Sequence, residues 1–418
     1  MDSDSGPGID RRRLIRWSGL AAAGMALAGT SPARADSGRP DSAPADPLAS
    51  GKIPPDTLPG GAYDRHVARL AAEGRFSGVV LLSYQGRTVL SRSYGMADRE
   101  KGVPNSETTA FSLSSAGKPF HAVAILQLAQ QGRLQLTDPV GRHLSGFARD
   151  VADRVTIHHL LSGTSGLDSP DEDVRRVFHS RAEVLRYYEG RARQARLRGV
   201  LGAPSTTHAE AEVTIPALIV QAVTGEKYWD YVEENIFRRC GMTGAGFYTK
   251  PQWLTDPHIA HPYMTVAGGG MVDAVRHLHK DSPSPSMLGK NPGRGFIDAP
   301  GDGGFATAGD LVRFARALTG GTLLDRSWVD VLTAARTPLG GTSFAAYGIA
   351  TDILNGQWVY QRAGGNPGVG ANWSIYPNTG WVGVILSNAE AEGVPLQDLI
   401  GRETQAVTGA APATGAGG

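Results

Sequence analysis

Cysteine is almost missing from this 418-residue chain. The single Cys240 has no partner, so no intramolecular disulfide can staple the fold. Its context, Ile236-Phe237…Cys240-Gly241-Met242, is apolar, which reads as packing and not as a reactive thiol. An excess of one charge is missing too: the formal net charge is +1. Residues 1–35 carry five arginines and three aspartates, which leaves 36 basic and 37 acidic residues in the rest. Such a balance gives no electrostatic footprint for nucleic acid or for anionic lipid. The histidine pairs His158-His159, His258/His261 and His277/His279 come without the further ligands of a zinc site. No glycine-rich run is followed by the Lys-Ser/Thr of a phosphate loop. Hence no metal and no cofactor is expected.

A long apolar run is also absent. The stretch Leu20 to Ala28 is about half of the ~20 residues that a membrane span needs. It follows Arg11-Arg12-Arg13-Leu14-Ile15-Arg16 and precedes Ala33-Arg34-Ala35, small residues at both cleavage-determining positions. Residues 1–35 therefore read as an export signal of twin-arginine type, a class that carries folded cargo. The expectation is a secreted or cell-envelope protein without stable membrane insertion after signal removal. Residues 36–60, rich in Ser, Pro, Asp, Ala and Gly, read as a flexible leader. An Ala/Gly/Thr tail at 410–418 reads as disordered.

The whole chain is 41% hydrophobic and 19% charged, as in a globular protein with a sizeable core, and what remains, 61–409, is the part that can fold as one. Tyr63, Val67 and Leu70 recur at helical spacing until Gly74. Gly78–Tyr84 and Arg87–Tyr94 are strand-like runs around Gln85-Gly86, a hairpin signal. Phe120 to Leu128 is apolar on nearly all sides, a helix buried between layers and ending at Gly132. Helical periods follow at Ile215–Val223 and Trp229–Phe237, and 265–300 reads as loop. Thr307-Ala-Gly-Asp310 is a capping box for a helix Leu311–Leu318. Strands are expected at Tyr347–Leu354, Trp358–Gln361, Asn372–Tyr376 and Trp381–Leu386, then a helix from Leu396 to Val407. The order predicts one α/β domain: an antiparallel sheet flanked by helices (61–114 and 298–409), interrupted by a helical subdomain (115–297). The two chain ends meet on one face of the sheet.

The stretch that carries chemistry is Phe111-Ser-Leu-Ser-Ser-Ala-Gly-Lys118-Pro-Phe120, a strand end running into a helix. A serine and a lysine three residues apart share one helix face, so Ser115 and Lys118 are close enough to hydrogen-bond. Serine is a weak nucleophile without an adjacent base, and a neutral lysine amine can be that base. Oriented N–H groups at a helix start can stabilise an oxyanion.

With these elements placed, the chain resembles the serine β-lactamase-related family: class C-type β-lactamases, D-alanyl-D-alanine peptidases and related esterases. Ser115-Ala-Gly-Lys118 resembles its nucleophile segment. Gly132-Arg-Leu-Gln-Leu-Thr-Asp-Pro-Val140, Thr156-Ile-His-His-Leu-Leu-Ser-Gly-Thr-Ser-Gly-Leu167, Val223-Thr-Gly225, Phe237…Gly241-Met242, Asp302-Gly-Gly…Thr307…Asp310-Leu and Gly364-Gly-Asn-Pro-Gly368 follow in family order. The resemblance implies that fold, a Ser115 acyl-enzyme with Lys118 as base, and an oxyanion hole from the amides of Ser115 and Gly365.

Departures from the family pattern are as telling. Its Y-x-N motif falls, by a gapless count back from Val223, on His208-Ala-Glu210, and its K/H-x-G motif on Arg362-Ala363-Gly364. The histidine of its L-L-t-H-t-S-G segment is Gly163. An imidazole at His208 can relay a proton as the family tyrosine does, with an ordinary pKa of ~6.5; the other reading leaves His208 on a loop surface. Glu210, Arg362 and Gly364 would face substrate, with Arg362 able to hold a carboxylate bidentately or to pair with Glu210. Tyr187-Tyr188 could supply a phenol, though their helical context reads as packing. The function expected is an exported serine hydrolase acting on an ester or amide bond of a small metabolite or peptide. Two alternatives stay open: an acyltransferase or cyclase using the same acyl-enzyme, and a catalytically silent binding protein.

Overall fold

The computed structural model describes residues 53–205, 209–389 and 396–409. The expected signal at 1–35, most of the leader, His208 and the tail at 410–418 lie outside the described residues. Helix α1 (Ala62–Ala72) leads into strands β1 (Gly78–Tyr84) and β2 (Arg87–Tyr94). Gln85 and Gly86 between them both have positive φ, +50° and +80°, the conformation a two-residue hairpin turn requires. Helix α2 (Pro119–Gln130) follows, then a helical block with α3 (Arg181–Arg193) and α4 (Ala211–Thr224). Helices α5 (Ala308–Thr319) and α6 (Arg326–Thr333) return the chain to the sheet. Strands β3 (Thr337–Gly340), β4 (Ser343–Ala345), β5 (Ala350–Leu354), β6 (Gln357–Asn366), β7 (Val369–Tyr376) and β8 (Trp381–Ser387) run on to α7 (Leu396–Thr408).

These strands form one antiparallel sheet in the order β3-β4-β5-β6-β7-β8-β1-β2. The amino-terminal hairpin thus docks on the last strand, with Gly78 opposite Ser387 and Tyr84 opposite Trp381. Both sheet faces are covered, so β1 is a continuous apolar run with its residues divided between two cores. Val80 and Leu82 pack with Tyr63, Val67 and Leu70 of α1 and with Leu399 and Ile400 of α7. Val79 and Leu81 belong to the larger core on the other face, with α2 and α5. Helices α1 and α7 thus share one face of the sheet. Helix α2 is buried from Pro119 to Ala129, wedged between sheet and helical block. Each of Phe120, Val123, Ile125 and Leu126 contributes ~1.5–3 kcal/mol by leaving water.

Some elements differ from expectation. The strand expected from Tyr347 starts at Ala350, because Gly348 turns at φ +71° and tucks against Pro119 and Ala122 at the start of α2. Strand β3 went unforeseen: Thr-Pro-Leu-Gly carries a proline and alternates towards solvent, features of an edge. Trp229–Phe237 is not one α-helix but Tyr228–Val232 continued by a π-helical turn to Arg238. The expected loop at 265–300 holds Met271–Asp273, paired with Tyr263–Thr265, and a 3-10 turn at Pro292–Arg294. Cys240 packs against the core, and burial pushes its thiol up to about 12, so it stays protonated.

Candidate active site

Phe111–Ser112 pairs with Phe305–Ala306, which brings the loop 298–304 beside the turn that follows Ser112. That turn is a 3-10 segment, Ser114–Gly117, with Pro119 opening α2 directly after it. Ser114 has φ +46°, a left-handed conformation costing ~1–3 kcal/mol for a residue with a side chain. Its surroundings hold it there. Ser114 Oγ donates to the Gly365 carbonyl at 3.0 Å and accepts from Asn366 Nδ2 at 3.3 Å. Trp373 Nε1 donates to the Ala116 carbonyl at 3.0 Å. Gly117 is required by the approaching loop, since a Cβ there would stand 1.7 Å from the Gly303 carbonyl oxygen.

The 3-10 turn and the start of α2 place Lys118 Nζ 3.0 Å from Ser115 Oγ, donating to it. Lys118 is 4% exposed and lies beneath the serine, while Ser115 borders a cleft of about 1010 Å³. Arg362, Gly364, Gly365, Glu210 and Tyr188 line the same cleft. In its neutral form the lysine can turn the contact round and accept the serine proton.

Strand β5 pairs with β6 only as far as Gln361, so residues 362–366 present an open edge to the nucleophile turn. A residue in an antiparallel strand directs its N–H and C=O to the same side. The Gly365 carbonyl, accepting from Ser114, therefore puts the Gly365 N–H on the side facing the turn, as an oxyanion donor requires. Arg362 Nε donates to the Ser115 carbonyl at 2.9 Å.

Carboxylates crowd the lysine. Asp302 Oδ2 lies 3.4 Å from Lys118 Nζ. Glu210, just before α4, is pushed up to about 7, by burial first and then by the charge of Asp302, with Lys118 opposing. Asp298 is also pushed up to about 7 by burial, against a hydrogen bond from Gly304 N at 2.7 Å. His121, one turn beyond Lys118, is driven down to about 4 by burial. It is neutral at ordinary pH, and its Nδ1–H donates to the Gly301 carbonyl at 2.8 Å. Burial lowers Arg362, with the charge of Asp302 opposing.

Ser115, Lys118, Glu210, Arg362, Gly364 and Gly365 are thus brought to one place, as the sequence led us to expect; His208 lies outside the described residues. The Arg362 guanidinium is engaged by the Ser115 carbonyl, and the charge of Asp302 acts on it. Tyr188, read as packing, reaches the cleft, where its hydroxyl donates to Glu172 Oε1 at 2.6 Å. Gly163 sits at φ +66°. Ser165 and Ser205 beyond it both donate to Glu212 of α4, tying those loops to the helix. Asp302, Asp298 and His121 were missed as site residues. The signal available was Gly301-Asp-Gly-Gly304, a charge set among glycines, which only the sheet brings to Lys118. Among the described residues no group of three or more His, Cys, Asp or Glu is arranged to hold a metal ion.

Fold and site together define a serine hydrolase on an α/β scaffold. The Beta-lactamase family model matches residues 63–407, and the chain belongs to that family. The protein PbpX of Bacillus subtilis (strain 168) is 26% identical over 329 residues, 78% of this chain and 74% of its own. Esterase EstB of Burkholderia gladioli is 45% identical over 93 residues, but these span 21% of this chain and 24% of the esterase. The structure of a penicillin binding protein from Bacillus halodurans superposes with a TM-score of 0.67 at 25% identity, covering 80% of this chain and 97% of that one.

Proposed function

We propose that the chain is an exported enzyme that cleaves an ester or amide bond of a small metabolite or peptide through an acyl-enzyme on Ser115. The observation that carries the reading is the 3.0 Å contact between Lys118 Nζ and Ser115 Oγ at the border of a cleft of about 1010 Å³. As Ser115 Oγ bonds to the substrate carbonyl carbon, its proton passes to the neutral Lys118 amine. The amides of Ser115 and Gly365 receive the oxyanion; one such donor is worth ~100-fold or more in rate. The proton then leaves with the departing oxygen or nitrogen, and water releases the acyl group. Esterase and penicillin-binding names among the relatives support ester or amide chemistry at a carbonyl carbon. Arg362 and Glu210 in place of the usual family groups argue for a substrate other than a β-lactam.

The test is to incubate the mature protein with a fluorophosphonate and, separately, with penicillin, and to read intact mass beside a Ser115→Ala control. A phosphonate adduct that Ser115→Ala abolishes is expected, without a penicillin adduct. No adduct from either reagent would sink the proposal in favour of a silent binding protein. Lys118→Ala should slow phosphonate labelling by ~10²-fold or more.

Export rests on the Arg11 to Ala35 pattern. Among the described residues no helix is long and apolar enough to cross a membrane. A reporter fused behind residues 1–35 should leave the cytoplasm, and should stay there when Arg11, Arg12 and Arg13 are replaced by lysine.

A further inference from the structure

We propose that Asp302 is a positioning residue of this site: it aims Lys118 at Ser115 and offsets the positive charge that Lys118 gains when it takes the serine proton. The inference rests on the roles proposed above for Ser115 and Lys118.

The loop around Asp302 is fixed from several sides. Gly301 has φ +95° and lies so close to α4 that a Cβ would meet the Val213 carbonyl oxygen at 2.1 Å. Gly303 has φ +71° and no room for a Cβ beside Asp298, whose Cγ would be 2.3 Å away. The Gly303 carbonyl rests on Gly117 of the nucleophile turn, and the Leu113 amide donates to the Gly304 carbonyl at 2.9 Å. His121 donates to the Gly301 carbonyl from the helix turn that follows Lys118. Asp302 is therefore held by backbone contacts on both flanks, with Oδ2 at 3.4 Å from a lysine nitrogen that is itself almost fully buried.

Its charge is felt across the site. The groups that respond to it are His121 of α2, Glu210 before α4, Asp298 of its own loop, Tyr228 of the helix Tyr228–Val232 and Arg362 of β6. Lys118 forms an ion pair with it at 3.4 Å. When Ser115 Oγ bonds to the carbonyl carbon, the proton goes to the neutral amine and an ammonium forms beside the carboxylate. When the bond to the leaving group breaks, the proton goes to that oxygen or nitrogen and the amine is neutral again. Asp302 exchanges no proton in either step. It stabilises the state in which charge is separated, which accelerates the chemical step without strengthening substrate binding.

The experiment measures fluorophosphonate labelling of the full chain as a limiting rate (kinact) and a half-saturating concentration (KI). Asp302→Asn keeps the shape and loses the charge. It should lower kinact about tenfold or more and leave KI within about twofold. Asp302→Ala should lose as much, and sodium formate should restore part of its kinact, as a free carboxylate enters the space left. An unchanged kinact in Asp302→Asn overturns the proposal. So does a loss in Asp302→Ala that formate does not touch, since that is the mark of a merely structural residue. Ser115→Ala, run beside them, separates the two levels. Labelling that survives it refutes the nucleophile assignment itself, whereas labelling lost in Ser115→Ala and intact in Asp302→Asn refutes only the role of Asp302.

Discussion

Gly364 lies flush against the backbone of Ser115. A Cβ on Gly364 would stand 2.8 Å from the Ser115 amide nitrogen, 2.4 Å from that of Ala116 and 2.2 Å from the Leu113 carbonyl oxygen. No side chain can yield there, because all three obstacles are main chain. The third residue of Arg362-Ala363-Gly364 is a contact surface on which the nucleophile turn rests.

Gly364→Ala should therefore push β6 away from that turn. Overpacking of this kind costs ~1–3 kcal/mol in stability, and a displacement near 1 Å costs reactivity about a hundredfold. The expected result is a folded protein with a slightly lower melting temperature and a far slower fluorophosphonate reaction. Labelling at the normal rate would refute the contact.

Arg362 holds the Ser115 carbonyl with a charged donor, a hydrogen bond of a kind worth ~1.5–3 kcal/mol. Arg362→Gln should slow labelling, and its effect should depend on Asp302. In a double-mutant cycle Arg362→Gln with Asp302→Asn should deviate from additivity, while Arg362→Gln with Glu210→Gln should be additive within ~0.5 kcal/mol. Strong coupling to Glu210 would restore the ion pair first expected from the sequence.

Glu403 of α7 is fully buried against Gly383, close to Ser374 and Tyr376, and burial pushes its carboxyl up from 4.5 to about 8. Between those values the unfolded chain has released this proton and the folded chain keeps it. Stability therefore falls as pH climbs from 4.5 to about 8 and levels off above. Glu403→Gln lacks this decline. Thermal melts should show the variant well above the natural protein at pH 8 and the gap narrowing towards pH 5. A constant gap across that range would contradict the buried-acid account.

His208, at the position of the family tyrosine by sequence count, gives a kinetic prediction. If it serves as a base, the rate should drop as pH falls through ~6–7, and His208→Phe should abolish that dependence along with part of the rate. A pH–rate profile identical in the two proteins would remove His208 from the mechanism.

Ser115 and Lys118 were legible because a helix start sets their geometry locally: i, i+3 spacing is enough, whatever the rest of the chain does. The hairpin at Gln85-Gly86 and the burial of α2 were legible for the same reason, since turn chemistry and periodicity are written in adjacent residues. Asp302 was not. Its place beside Lys118 depends on Phe305–Ala306 pairing with Phe111–Ser112, a register that no short stretch encodes. The main-chain partner of Arg362 escaped on similar grounds. Opposite charges on one cleft suggest a pair, but β6 delivers that guanidinium to a backbone carbonyl, and main-chain acceptors are invisible to a search for complementary side chains. Strand β3 escaped because an exposed edge has no apolar pattern to declare it.

The docking of β1 on β8 has a consequence for the order in which this protein comes into being. A ribosome delivers the amino-terminal hairpin early, yet its neighbour Trp381–Ser387 only near the end. Throughout that interval β1 has one hydrogen-bonding edge open, a template for any other strand nearby. The Ser115 turn waits as well, since it leans on Gly364, Gly365 and Trp373, all made late. Ser115 and Lys118 are thus translated in the first third of the chain, whereas the backbone their turn leans on is made only near its end. A chain cut short anywhere before residue 381 would carry both residues and still lack the wall that sets them.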